Sequence, residues 1–573
     1  MALALPIFIL SGLYLAIFRY SGLPALITVT KAVFIYGLAY ASIISLFGFE
    51  GIPRTIGLLQ PLLLLLAVGA SRAFANVWLG GSYLSILRNS DLPRVLIYGA
   101  GSAGRQLAAA MANSHEVIVT GFLDDDSRLQ RGLINGLKIY NPENIQKLIE
   151  TLKVNTVLLA LPSLTQSERN NALRKLEHAK VLVRTLPGLM DLAQGKVTIA
   201  DLKELDIDDL LARDIIGPDQ NLLRRNVAGQ VVLITGAGGS IGSELCRQIL
   251  RLQPKTLILL DHSELALYQI HEDLVNKRDT LFEISGFKGN IVPILGSVND
   301  QQVLDDLMRE YQPYIIYHAA AYKHVPMVEV NPFEGIKNNT FGTITIANVA
   351  IKYSVPHFVL VSTDKAVRPT NVMGASKRLA EMVLQAKAAA NTYTIFTMVR
   401  FGNVLASSGS VIPKFRQQIK DGGPVTVTDF QMTRYFMTIP EAAQLVIQAG
   451  AMAKGGEVFL LDMGQPVRIY DLARRMIELS GLEVRDTENP EGDIEIEEIG
   501  LRPGEKLYEE LLISGDPEST SHARIFKAHE ELLTDAQMQE QLIKLKQIIS
   551  NKDHVALSQF LRESITGYYP GSN

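Results

Sequence analysis

One segment of the chain admits few folds: a short apolar run, Val231-Val-Leu-Ile234, passes directly into Thr235-Gly236-Ala-Gly-Gly239-Ser-Ile-Gly242. Glycines so placed permit a tight bend from strand to helix, and the helix N-terminus that follows offers N–H groups to a pyrophosphate. Further apolar runs at Thr256 to Leu260, Ile315 to His318, Phe358 to Ser362 and Thr397 to Phe401 alternate with helical patterns. That alternation predicts a doubly wound parallel sheet. Asp261 closes the second strand, about 20 residues on, where a carboxylate accepts both hydroxyls of a ribose. A 2′-phosphate would meet that charge unfavourably and no arginine follows at once, so NAD is expected over NADP. The alternative for Asp261 is an N-cap ahead of Ser263-Glu264. Gly236, Gly239, Ser240, Ile241, Gly242 and Asp261, with Ala319 and Ala320 after the strand at Ile315, form the expected cofactor set.

A similar unit precedes this one. Val95-Leu-Ile-Tyr98 leads into Gly99-Ala-Gly101-Ser-Ala-Gly104, with strands at Val117 to Thr120, Val157 to Ala160 and Val181 to Arg184 and an acidic cluster, Asp124-Asp125-Asp126, after the second. No later segment of this unit offers catalytic chemistry, so a working nucleotide site and a regulatory or degenerate one stay equally open. At 573 residues the chain exceeds a single hydrophobic core. The expected organisation is an N-terminal apolar region (1–75), two Rossmann-like α/β domains (92–190 and 227–573) and an acidic linker (191–226) carrying Asp206, Asp208, Asp209 and Asp214. Charged amphipathic helices from about Thr534 to Ser564 close the second domain.

Apolar residues concentrate at the start. Ala2 to Phe18 carries no charge, Leu23 to Phe47 carries only Lys31, and Ile56 to Ala70 contains the run Leu62 to Leu66. A spanning helix needs roughly 20 apolar residues, so three transmembrane helices in a lipid bilayer are expected, the outer two being marginal in length. A cleaved signal peptide is disfavoured by the missing basic start and by the two apolar segments that follow. Arg19, Arg72, Arg88 and Arg94 place the soluble part in the cytoplasm, whereas Arg54 would face outward. A net charge of -4 gives no broad basic field, so nucleic acid is not the expected partner. The one cysteine, Cys246, excludes an intramolecular disulfide and a cysteine metal cluster, and helix packing is its expected role.

After the strand at Ile315 comes His318-Ala-Ala-Ala321-Tyr322-Lys323-His324-Val-Pro326, and after the strand at Phe358 comes Ser362-Thr363-Asp364-Lys365, then Met373-Gly-Ala-Ser-Lys377. With Arg400-Phe-Gly-Asn403-Val, Met432-Thr-Arg434-Tyr-Phe and Arg502-Pro-Gly-Glu-Lys506, these blocks resemble, in order and spacing, the extended short-chain dehydrogenase/reductase superfamily. Within it they are most similar to the long, membrane-bound UDP-N-acetylglucosamine 4,6-dehydratases of bacterial surface-glycan synthesis. The resemblance spans most of the chain. It implies a multi-pass protein of the bacterial cytoplasmic membrane, and a homo-oligomer is expected. Family members commonly carry four spans, so a chain showing three is expected either to start late or to be a shorter member.

The superfamily usually has tyrosine four residues before its lysine. Here Met373 stands before Lys377, and methionine has no ionisable proton; the long branch of the family looks the same, with the Thr-Asp-Lys triplet taking over. The resemblance implies oxidation at carbon 4 of the sugar by hydride transfer to NAD, loss of water across carbons 5 and 6, and return of the hydride to carbon 6. Lys365 would remove the carbon-5 proton, its pKa lowered by burial or by Lys377. Asp364 would protonate the departing 6-hydroxyl, Thr363 would hydrogen-bond the 4-hydroxyl, and Lys377 would hold the nicotinamide ribose. Without a tyrosine, retention at carbon 5 is expected. Arg434 and Arg502 are the expected diphosphate clamps, since guanidinium binds phosphate bidentately; Asn403 and Lys323 are lesser candidates. His318 and His324 have no carboxylate or cysteine at ligand spacing, so no metal is expected. The rivals are a UDP-sugar 4-epimerase, which needs no acid for dehydration, and a membrane-anchored nucleotide-sensing scaffold, favoured by the first glycine turn and Met373.

Overall fold

The computed structural model of the chain describes residues 4–10, 23–47, 53, 55–79, 92–112, 117–161, 164, 166–177, 179–185, 203–204, 217–285, 289–390, 393–405, 407, 409–510, 517–528, 530 and 533–570. Two compact units are distinguished, one of Met1–Val95 with Met111–Val119 and one of Leu96–Ala110 with Thr120–Asn573.

The first unit holds helices α1 (Ala4–Leu10), α2 (Leu23–Phe47) and α3 (Ile56–Leu79). Phe8, Ala32, Val33 and Tyr36 bury one another against Leu64, Leu65 and Val68. The Tyr36 hydroxyl donates to Gln60 Oε1 at 3.0 Å, so these two polar side chains pair across the helices. Phe34, Leu38, Leu58, Leu62 and Leu66 remain exposed, which gives the unit an apolar exterior. Among the described residues one stretch, Thr30–Phe47, is long and apolar enough to cross a membrane, and Ile56–Val68 is a shorter apolar helix. Of the three expected spans, one is thus supported among the described residues. The first, Ala2 to Phe18, is described only over Ala4–Leu10, its remainder lying outside the described residues, and Gln60, Pro61, Ser71 and Arg72 shorten the apolar run of α3. Arg19, Arg54 and Arg88 lie outside the described residues, as do the side chain of Arg72 and the linker carboxylates Asp206, Asp208, Asp209 and Asp214.

The first sheet comprises β1 (Arg94–Tyr98), β2 (Ile118–Leu123), β3 (Leu133–Ile134), β4 (Leu137–Tyr140), β5 (Thr156–Leu159), β6 (Leu182–Thr185) and β7 (Lys203–Glu204), in the order β3-β4-β2-β1-β5-β6-β7. β2 runs parallel to β4, and β5 to β6. The second sheet comprises β8 (Val231–Thr235), β9 (Thr256–Asp261), β10 (Asn290–Leu295), β11 (Ile315–His318), β12 (His357–Val361), β13 (Ile395–Arg400), β14 (Glu457–Leu461), β15 (Glu518–Ser519) and β16 (Ile525–Ala528). Their order is β10-β9-β8-β11-β12-β13-β14-β16-β15, parallel from β10 to β14 and antiparallel thereafter. Side chains alternate between two covered faces. Val232, Ile234, Leu257, Leu259 and Tyr317 pack to one side, and Leu233, Ile258, Leu260, Ile316 and Phe358 to the other. Burial on both faces is why these strands read as continuous apolar runs.

Two further layers position the cleft. The Asp535–Asn551 and His554–Ser564 helices lay Leu542, Leu545, Leu557 and Leu561 over the Val372–Ala390 helix, which carries Met373 and Lys377. A small sheet of Val425–Val427, Ile494–Glu498 and Val484–Arg485 packs with the Val411–Lys420 and Ile469–Leu479 helices. The first sheet docks on the Ile469–Leu479 helix: Leu479 enters its core, Arg475 Nε lies 2.5 Å from Glu177 Oε1, and Arg475 Nη2 donates to Asn170 at 2.9 Å. Arg475→Ala leaves Glu177 without this guanidinium, at a cost of about 1–3 kcal/mol. Amide hydrogen exchange in Gln166–Leu176 and Leu182–Thr185 should then quicken by about tenfold to a hundredfold, with exchange in the nine-stranded sheet unchanged.

Candidate active site

The loops leaving the carboxyl ends of β8, β11, β12 and β13 line a cavity of about 910 Å³. Of the expected residues, Gly239, Ser240, Ile241, Gly242, Ala319, Lys323, Thr363, Lys365, Met373, Lys377 and Asn403 line it. Gly236, Asp261, Ala320, Asp364, Arg434 and Arg502 are not part of that lining.

Gly236 has a φ of +67°, and a Cβ there would stand 2.7 Å from the Ala320 nitrogen, so Gly236 and Ala320 form the packed floor under the turn. A Cβ on Gly242 would collide with the Gly236 carbonyl, which forces glycine where the helix meets the turn. Gly239, ahead of the Ser240–Arg251 helix, contributes no capping side chain and opens the helix start to the cavity. This cradle fits the pyrophosphate expected of NAD. Asp261 braces it: Oδ2 accepts from Gly238 N and Oδ1 from Ser263 N, both at 2.9 Å. The following helix begins at Glu264, so Asp261 is not its N-cap.

His318, wholly buried, bridges Thr235 Oγ1 at 2.7 Å and Thr343 Oγ1 at 2.9 Å. Thr343 donates to the Asn339 carbonyl, which assigns the ring proton to Nε2. Burial lowers the His318 pKa to about 3, so the ring is a neutral strut between strand ends. Asn339, in a π-helical turn, clamps the cleft loop by bonding both backbone groups of Tyr322 and the Ser376 hydroxyl. It is absent from the expected set, because its value lies in contacts 17 and 37 residues away.

Thr363 Oγ1 donates to Asp364 Oδ1 at 2.9 Å. Lys365 Nζ stands 3.1 Å from Asp364 Oδ1, 3.1 Å from Asn403 Oδ1 and 3.4 Å from Glu509 Oε1. Glu509 too is missing from the expected set. Burial raises the Asp364 pKa and Glu509 adds to the rise, against Lys365. Burial pulls Lys365 down, but Asp364 and Glu509 outweigh it and hold its ammonium above the ordinary value. The expected lowering falls instead on Lys377, which burial brings to about 8 against Glu381.

Arg434 is buried, and its guanidinium donates to the carbonyls of Thr433, Lys506 and Leu507 at 2.7, 2.7 and 3.1 Å. The fork expected to grip a diphosphate thus latches the Arg502–Leu507 segment. Arg502 is exposed, and its charge lowers the pKa of Lys414 after burial has done so, which makes Lys414 a second cation of that region.

Below the floor, Glu381 accepts from Ser362 Oγ at 2.6 Å, from Arg400 Nε and Nη2 at 2.8 and 2.6 Å, and from Arg378 Nη1 at 3.2 Å. Burial would raise its pKa, yet Arg400 and Arg378 bring it to about 2. A depressed carboxylate contributes stability above its ordinary 4.5 and loses it as pH falls toward about 2. Glu381→Gln should therefore cost about 3–5 kcal/mol at pH 7. The gap in thermal midpoint between the two proteins should narrow steadily below pH 4.5; a gap constant from pH 7 to 3 would refute this origin.

Residues 232–530 match the family described as polysaccharide biosynthesis protein. The chain is 42% identical over 505 residues to the capsular polysaccharide biosynthesis protein CapD of Staphylococcus aureus, covering 87% of this chain and 82% of that one. It is 42% identical over 453 residues to the probable polysaccharide biosynthesis protein EpsC of Bacillus subtilis, covering 78% and 72%. A UDP-glucose 4-epimerase of Rickettsia prowazekii is 35% identical over 289 residues, covering 50% of this chain and 79% of that one. The similarity to CapD extends well beyond the cleft and its nine-stranded sheet, and the chain belongs to the polysaccharide biosynthesis protein family.

Proposed function

We propose that the chain is an NAD-dependent UDP-N-acetylglucosamine 4,6-dehydratase for surface-glycan synthesis. It would work at the cytoplasmic face of a bacterial membrane, to which the apolar N-terminal helices hold it. The observation that carries the reading is a buried carboxyl with a raised pKa, Asp364, joined to the cleft through Thr363 Oγ1 and to Lys365 Nζ. An elimination needs a base for the carbon-5 proton and an acid for the departing 6-hydroxyl, and a 4-epimerase needs no acid for dehydration.

Gly239, Ser240, Ile241 and Gly242 would hold the cofactor's pyrophosphate, Asp261 would brace the turn and offer its remaining lone pairs to the ribose, and Lys377 would hold the nicotinamide ribose. Bound NAD supplies the two-electron oxidation at carbon 4 and its return at carbon 6. Thr363 Oγ1 takes the hydrogen bond of the 4-hydroxyl and passes that proton to Asp364, which lies 1% exposed beneath it. Asp364 returns the proton, by the same hydroxyl, to the 6-oxygen as it leaves as water. Lys365, on the cleft wall, removes the carbon-5 proton made acidic by the 4-ketone and gives it back on the same face. Met373 is 3% exposed, packs in an apolar cluster and has no ionisable proton, so that position supplies no second acid. Retention follows. Lys323 and Asn403, on the wall, and Arg502, outside the lining, would receive the nucleotide sugar.

The relative named as a UDP-glucose 4-epimerase supports a second reading, and the product separates the two. Incubated with UDP-N-acetylglucosamine, the full chain should yield UDP-2-acetamido-2,6-dideoxy-α-D-xylo-hexos-4-ulose by proton NMR. A 4-epimer with the 6-hydroxyl intact would establish the rival, and the coupling pattern of the L-arabino ketone would overturn retention. Lys365→Ala should lower kcat by about 10²–10⁴-fold, with Met373→Ala remaining within about tenfold of the parent, as suits a packing residue. Equal losses would sink the assignment of Lys365.

A further inference from the structure

Lys365 has a partner behind the cleft that pairing alone does not require. Asp364 Oδ1 and Asn403 Oδ1 already accept from its ammonium at 3.1 Å each. Glu509, three residues beyond the Arg502-Pro-Gly-Glu-Lys506 block, nevertheless brings Oε1 to 3.4 Å with its side chain 3% exposed. Its other oxygen, Oε2, is buried and has no hydrogen-bond partner. A carboxylate kept dry with a bare oxygen is costly unless its charge is used. The charged groups facing this pair are Asp364 and Arg434 toward Lys365, and Arg434 and Lys506 toward Glu509. Arg434 spends its fork on backbone carbonyls and comes no nearer to Glu509 than 3.8 Å through Nε. The pair is thus an ammonium held above its ordinary pKa facing a carboxylate held below its own, burial of each being outweighed by the opposite charge. In that state the amine has no lone pair with which to attack a C–H bond.

We propose that Glu509 is the positioning residue that takes the ammonium proton of Lys365 when the sugar fills the cleft, so that a neutral amine faces carbon 5. The inference rests on the dehydratase reading. One N–H bond of Lys365 breaks and one O–H bond forms on Glu509. Two opposite charges become two neutral groups, and nothing is oxidised or reduced. Exclusion of water by the sugar favours the transfer, because a neutral pair loses less solvation than an ion pair. Lys365 then receives the carbon-5 proton, becomes an ammonium again, and returns that proton to carbon 5 after reduction at carbon 6. Glu509 finally gives its proton back to the amine, which restores the starting pair. Glu509 does not line the cavity, so its action on the sugar runs through Lys365.

The test is the pH profile of product formation by the full chain. An internal transfer conserves the proton, so kcat in the parent should be flat from about pH 6.5 to 8.5. Glu509→Gln keeps the shape but accepts no proton, so Lys365 must lose its proton to solvent. Its kcat should drop at least a hundredfold near pH 7 with KM within about threefold, then climb close to tenfold per pH unit. Glu509→Asp should recover part of the rate and keep the flat profile. A Glu509→Gln protein with the parent's rate, or one uniformly slow with a flat profile, would overturn the proposal. If Glu509→Gln does not fold, a sloping profile in Glu509→Asp overturns it and a flat one supports it. Absence of the 4-keto-6-deoxy product from the parent itself would remove the dehydratase reading and this inference together, whereas an active parent with an unaffected Glu509→Gln removes the inference alone.

Discussion

Glu381 is a wholly buried carboxylate, and it persists because Arg400, Ser362 and Arg378 converge on it. Arg400 ends β13, Ser362 follows β12, and Arg378 rises from the same helix as Glu381 itself. Glu530, just past β16, binds both arginines, at 2.6 Å to Arg400 and 2.8 Å to Arg378, so the knot is neutral overall. Desolvating each of these ions costs several kcal/mol, and only near-complete pairing repays it. Pairing of that kind has one geometry. It locks the ends of β12 and β13 to the Val372–Ala390 helix, and the loops that start there inherit the position. Thr363, Asp364 and Lys365 follow Ser362 directly, Asn403 follows Arg400 by three residues, and Lys377 lies one turn from Glu381.

That shared anchorage explains how two lysines of one cleft come to differ in charge. Lys377 faces its carboxylate, Glu381, only after Arg400 and Arg378 have claimed it, so burial dominates and its pKa falls to about 8. Lys365 meets two carboxylates not already spent on arginine forks, so attraction outweighs burial. Each environment follows from which cation reaches a given carboxylate first. The same competition removes Arg434 from the ligand's side of the wall. The carbonyls of Thr433, Lys506 and Leu507 occupy its fork, and the segment it latches leads to Glu509. An arginine spent on backbone is therefore what brings the second carboxylate to Lys365.

Strands buried on both faces were plain in the chain because their apolar runs are continuous and end at glycine or a polar residue: Val231 to Ile234 and Ile315 to His318 lie within β8 and β11. β10 carries Pro293 at the sheet's edge, with exposed and half-buried side chains, so its period is blurred. The lining residues that come from one contiguous block, such as Thr363 and Lys365, were equally legible, since a loop leaving a strand end has one place to go. Glu509 and the destination of Arg434 were not. Both depend on Arg502 to Leu507 folding against Thr433, some 70 residues away in the chain, and charge type alone cannot distinguish a guanidinium aimed at phosphate from one aimed at carbonyls. At the apolar start, hydropathy counts side chains, whereas a span also needs an unbroken apolar helix, which Gln60, Pro61, Ser71 and Arg72 interrupt in α3; Ala2 to Phe18 lies largely outside the described residues.

The two glycine turns show how far a shared local structure goes toward a shared chemistry. In the first sheet Asp124 accepts from Ala100 N at 2.8 Å and Asp126 N at 2.9 Å, as Asp261 does from Gly238 and Ser263. Cβ atoms on Gly104 and Gly242 would meet the carbonyls of Gly99 and Gly236 alike. The backbones are built to one plan, and the difference lies beyond them. In the first sheet Asp125 is engaged by Tyr98 and Lys175, Asp126 by Arg128, and β5 runs out at Ala160. In the second, β12, one strand beyond β11, is followed by Thr363, Asp364 and Lys365. A wound turn supplies a cradle; reaction is decided by the side chains that the next strand ends deliver to it.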